Sequence, residues 1–110
     1  MVKILVFGPI SEKILEGIEL ENIDIENIVD VTERIEKKLE EEEFTSFWLS
    51  EGLDDYGALF MDREGKAVFL CLTLEGDLYI ADIENVKDDP AVLEFFIHFI
   101  RNYFLKVREY

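Results

Sequence analysis

Apolar and polar positions divide the chain into short segments whose periods change along its length. Val2 to Phe7 is a near-continuous apolar run closed by Gly8-Pro9, the pattern of a buried strand. Ser11 is placed to N-cap a short helix whose Ile14 and Leu15 face inward and which Gly17 ends. Ile23, Ile25, Val29 and Val31 then predict a second strand near residues 23–31, although Ile28 breaks strict alternation. Strand, short helix and strand at this spacing predict a small βαβ-like unit with parallel strands.

Thr32 reads as the N-cap of a second helix, from Glu33 to about Glu43, with a thin apolar stripe of Ile35 and Leu39 that places it on the surface. Glu36 and Glu40 form a like-charge pair, and the Glu40–Glu43 block sits at the carbonyl end, where the macrodipole disfavours acid, so this end is expected to fray. Phe44 to Leu49 fits either a helix or a two-sided strand, and extended structure is preferred.

From Tyr56 the alternation is clearer. Tyr56 to Met61, Lys66 to Leu74 and Leu78 to Ile83 are strand-like runs separated by Asp62-Arg63-Glu64-Gly65 and Glu75-Gly76-Asp77, an antiparallel three-strand meander. Both faces of the middle run are apolar, so it is expected at the centre of the sheet, covered on both sides. Asp89 N-caps a last helix with Pro90 at its first position. Its apolar residues span an arc of roughly 200°, about twice what a surface helix needs. Such a helix must lie across a sheet or meet a second chain.

These elements predict an α+β fold in one globular domain over residues 1–110. Its parts are a mixed sheet of about five strands, an N-terminal βαβ-like unit, a C-terminal meander and a long apolar helix packed across the sheet. Phe95, Ile97 and Leu105 are the helix residues a single sheet covers least well. They mark the expected interface of a homodimer.

Composition narrows the class further. Hydrophobic residues make up 49% of the chain, enough for a folded core despite the charge. The lone Cys71 rules out an internal disulfide and fits a reducing compartment. Residues 1–7 are too short for a signal h-region, and Ala67 to Leu74 is far short of a membrane span, so a cytoplasmic location is expected. The absence of Gln and the heavy use of Glu, Lys and Ile lean toward a thermophile composition.

The net charge is −15, and Glu16 to Glu33 contains acids but no base. Such a surface disfavours nucleic acid and anionic membrane and attracts a basic protein or cations. The acid block Glu40, Glu41, Glu42 and Glu43 is the candidate partner-binding element.

Candidate chemistry is sparse. One His and one Cys cannot make a His/Cys zinc site within one chain, and the helix phase turns His98 away from the sheet that holds Cys71. Glu64-Gly65-Lys66, with Asp55 upstream, resembles the Glu-x-Lys element of restriction-endonuclease-like nucleases. Here it opens a strand from a turn instead of following one into a site, and the acidic surface opposes DNA, so that reading is set aside. Ile4 to Ser11 has a strand–turn–helix outline but lacks the glycine spacing of a phosphate loop.

Asp54, Asp55 and Asp82 are the carboxylates placed to bind a metal. No cofactor motif is present, and a divalent cation is the one cofactor the carboxylates leave open. Two functions follow: a non-catalytic acidic interaction or regulatory domain, which is preferred, or a small-molecule or divalent-metal-dependent enzyme using meander carboxylates. If such an enzyme site exists, one divalent cation at millimolar concentration raises Tm by several degrees, and the rise survives high monovalent salt. Equal stabilisation by monovalent salt would mark the charge as a diffuse field.

Overall fold

The computed structural model describes residues 3–18, 23, 26–51, 56–73 and 76–108, with side chains for all of these except 47–51, 99 and 102–108. Five strands form one mixed sheet: β1 (Ile4–Phe7), β2 (Thr45–Glu51), β3 (Tyr56–Met61), β4 (Ala67–Leu72) and β5 (Leu78–Asp82). Their order is β1-β5-β4-β3-β2, and β1 is parallel to β5 while every other pair is antiparallel. The helices are α1 (Pro9–Leu15), α2 (Ile28–Glu41) and α3 (Pro90–Arg108), with a 3₁₀ helix over Ile83–Asp88.

The meander forms because its turns supply the required chemistry. Asp62 Oδ1 accepts hydrogen bonds from the backbone N–H groups of Glu64 and Lys66, and Gly65 takes a φ of 85° that costs other residues strain. The segment beginning at Phe44 resolves to strand, with a register shift between Ser46 and Trp48 where β2 pairs with β3. β4 is central, as its two-sided apolar pattern requires. Val68 and Leu70 enter one core, while Phe69 and Cys71 enter the other.

The expected strand at 23–31 is corrected. Residues 28–31 open α2, and residues 24 and 25 lie outside the described set; among the described residues β1 takes its parallel partner from β5, late in the chain, and not from an N-terminal βαβ-like unit. Ile28, Val31, Ile35 and Leu39, spaced three and four apart, make one buried helical stripe, whereas Val29 is 56% exposed. Burying each of these side chains is worth about 1.5–3 kcal/mol, more than the few tenths by which β-branching disfavours a helix. The stripe is therefore broader than Ile35 and Leu39 alone, and α2 packs as a core helix. Thr32 is no N-cap; inside the helix, its Oγ1 donates to Ile28 O at 2.8 Å.

The two cores lie on opposite faces of the sheet. α1 and α2 cover one face, packing Ile14, Ile35 and Leu39 against Phe60, Leu70 and Ile80. α3 covers the other, with Val92 fully buried and Phe96 edge-to-face on Phe69 at 5.3 Å between ring centroids. Among the described residues, no helix is long and apolar enough to cross a membrane.

Asp89 caps α3 as its sequence implies, with Oδ1 accepting from Ala91 N at 2.9 Å and Val92 N at 3.2 Å. Asp89→Ala should therefore cost about 1 kcal/mol, lowering Tm by about 4–8 °C, while Asp88→Ala should move it much less. Equal shifts in a thermal melt would remove Asp89 from the capping role.

Candidate functional site

Of the three carboxylates placed to bind a metal, Asp54 and Asp55 lie outside the described residues, and Asp82 is already occupied. It is 5% exposed. Pairing of Phe7 with Ala81 brings the end of β5 beside Gly8, where α1 begins. Asp82 Oδ2 accepts from Ile10 N at 3.0 Å, and Oδ1 accepts from Ser11 N at 2.8 Å and from Ser11 Oγ at 2.7 Å. Those two N–H groups are the ones an N-cap side chain would satisfy. The N-cap is Gly8, which has no side chain to offer, so Asp82 supplies the cap from another element. Ser11 is thus a buried partner of Asp82 within the first turn and not the N-cap its position implied. The strand–turn–helix outline at the N-terminus holds the protein's own carboxylate.

The remaining acids of the meander do not converge. Asp62 and Glu64 lie in the turn next to the Met61–Ala67 pair, and Asp77 lies at the opposite end of β4, beyond the Leu72–Leu78 pair. Among the described residues, no three His, Cys, Asp or Glu are grouped to hold a metal ion. Glu64 pairs with Lys66 at 3.2 Å, an exposed contact within the turn. Cys71 is buried in the sheet, while His98 is exposed on α3.

The acid block at the end of α2 does take part in a concave surface. α2 closes with Glu43 N donating to Glu40 O at 3.0 Å and Phe44 N donating to Leu39 O at 2.9 Å, the two bonds of a Schellman motif. The position that glycine normally fills there is Glu43, with φ 66°. The expected fraying is replaced by this closed end, which buries Phe44 and leaves Glu40, Glu41, Glu42 and Glu43 exposed.

An open cleft of about 580 Å³ lies between α1, this helix end and the β3–β4 turn. Its floor is Ile10, Ile14 and Phe44, and its rim carries Glu42, Glu43, Asp62 and Glu64 with Lys13, Arg63 and Lys66. A second groove of about 770 Å³ shares Glu43, Phe44, Asp62 and Arg63 with it and adds Glu40, Thr45, Ser46 and the 40%-exposed Met61. Over both, five carboxylates face three cations. Glu41 lines neither and instead borders Arg34, Lys37 and Lys38.

The apolar floor was not apparent in the sequence, because it is assembled from three separated segments. A local signal existed for one member: the residue two beyond a Schellman helix end is commonly apolar and packs back on the helix, as Phe44 does.

The candidate interface residues are distributed along α3. Phe95 is half-buried, its ring 5.7 Å from Tyr79 between centroids, and Ile97 is 40% exposed. Leu105 lies within α3, and its side chain is outside the described set.

Comparison with family models, curated proteins and solved structures gives no match for this chain.

The Asp82 cap generates a direct test. Asp82→Asn leaves one amide N–H₂ facing a helix N–H and should destabilise by about 1–3 kcal/mol. Gly8→Ala should cost at least as much, because a Cβ there would overlap Asp82 Cγ and Oδ2 and stand 2.7 Å from Asn85 Oδ1. Denaturant midpoints unchanged in both variants would rule out the cap as a stabilising contact.

Proposed function

We propose that this chain is a non-catalytic interaction domain whose acid-rimmed cleft receives a basic segment of another protein. One observation carries the reading: the end of α2 sets Glu42 and Glu43 over an apolar floor of Ile10, Ile14 and Phe44. The carboxylates would meet Lys or Arg of the segment, and the floor, with exposed Met61 in the adjoining groove, would take an apolar side chain beside them. The excess of acid at the rim is modest, and the wider −15 field adds long-range attraction for a cation-bearing partner.

Glu43 supports the reading through its backbone. A non-glycine residue at positive φ costs on the order of 1 kcal/mol, and glycine would relieve it. A strained position occupied by a side chain that lines both grooves is consistent with that side chain being used.

An amphipathic Lys/Leu peptide serves as probe in isothermal titration calorimetry with the full chain. Binding should weaken about tenfold or more between low salt and a few hundred millimolar NaCl, where the Debye length falls well below 10 Å. Glu43→Gly should raise stability by up to about 1 kcal/mol and weaken peptide binding several-fold. Glu41→Gln removes the same charge outside the cleft and should leave binding nearly unchanged. Absence of binding at low salt, or equal losses in the two variants, would defeat the cleft as the binding surface.

A further inference from the structure

The face of α3 turned away from the sheet carries a second, independent pattern. Ile97 is 40% exposed there, with Glu94 three residues before it and Arg101 four residues after. These three, with Pro90, Leu93 and His98, line a shallow concavity of about 390 Å³ to which, among the described residues, only α3 contributes. Among the described residues, neither Glu94 nor Arg101 has an ion-pair partner.

We propose that this stripe is the contact between two copies of the chain, their α3 helices antiparallel about a two-fold axis passing beside Ile97 and His98. In that register Glu94 of each copy faces Arg101 of the other, giving two symmetric ion pairs around an apolar centre. An isologous contact requires such self-complementarity, an acid and a base equally spaced about the axis. A second copy therefore fits this face without any further assumption about a partner.

The charge distribution favours the same occupant. α3 carries one acid, Glu94, against three bases, Arg101, Lys106 and Arg108, in a chain whose net charge is −15. Glu40, Glu42 and Glu43 extend from α2, which packs on the opposite face of the sheet. Two copies meeting through α3 keep their acid-rimmed clefts apart. The contact does not depend on the cleft's function.

The test is sedimentation of the full chain with charge-swap variants. Wild-type protein should sediment at twice 12.9 kDa. Glu94→Arg alone and Arg101→Glu alone should each raise the dimer dissociation constant about tenfold or more by setting like charges opposite each other. The double swap should restore it to within a few-fold of wild type. Ile97→Asp, on an exposed face, should give a folded monomer whose melt matches that of wild type diluted below its dimer dissociation constant.

Wild-type protein that stays at 12.9 kDa at the highest attainable concentration would overturn the proposal. A dimer indifferent to Ile97→Asp would overturn it too, and a double swap that fails to rescue would overturn the antiparallel register. Glu43→Gly should leave the dimer intact, which separates failure here from failure of the cleft.

Discussion

Asp82 is the contact on which the arrangement around the cleft depends. Its carboxylate joins the end of β5 to the first turn of α1, residues 71 and 72 positions apart in sequence. The donors of that turn are then fully accounted for. Pro9 has no N–H, Ile10 and Ser11 give theirs to Asp82, and Glu12 N donates to Gly8 O at 3.0 Å. A seven-residue helix has little cooperativity of its own, so its orientation must come from contacts outside it. Asp82 supplies polar anchoring at the N-terminus, and buried Ile14 and Leu15 supply apolar anchoring further along. The same helix carries Ile10 and Ile14 to the floor of the cleft. The close approach of the Asp82 carboxylate also explains why residue 8 must be glycine.

What was legible in the sequence follows the range of the interaction that decides each element. The meander and the start of α3 are fixed by neighbours in sequence: the Asp62–Gly65 turn, the two-sided run at Val68–Cys71, and Asp89 before Pro90. The near-alternation of Ile23, Ile25, Val29 and Val31 suggests a strand, while the spacing that decides the structure runs from Ile28 and Val31 on to Ile35 and Leu39. Burial of that longer stripe outweighs the local preference. In the sequence Asp82 is only one of three carboxylates placed to bind a metal. Its role rests on the β1–β5 register, which no local pattern encodes.

The acid block is a case where composition and geometry separate. Four consecutive glutamates read as one feature, yet a helix end distributes them. Glu40, Glu42 and Glu43 reach the grooves, and Glu41 turns toward Arg34, Lys37 and Lys38. The Schellman turn explains how acids at a carbonyl end remain compatible with an ordered helix. Phe44 N and Glu43 N satisfy carbonyls that would otherwise strengthen the negative end of the dipole. The remaining cost falls on the backbone of Glu43.

The sheet also separates the two faces electrostatically. Helix and sheet layers pack about 10 Å apart, so the outer faces of α2 and α3 stand more than one Debye length apart at physiological ionic strength, where that length is about 8 Å. Under those conditions the acids at the end of α2 contribute little to the potential at Glu94 and Arg101. At low ionic strength the Debye length rises to about 30 Å, and the whole −15 charge is felt on both faces. A cation-bearing segment is then drawn more strongly to the cleft, while two copies of the chain repel each other more strongly. For the two proposed contacts salt would therefore act in opposite directions at first, weakening binding at the cleft and relieving repulsion at α3. In the proposed dimer, the Glu94–Arg101 pairs would lose only at higher salt, and the apolar burial around Ile97 would remain.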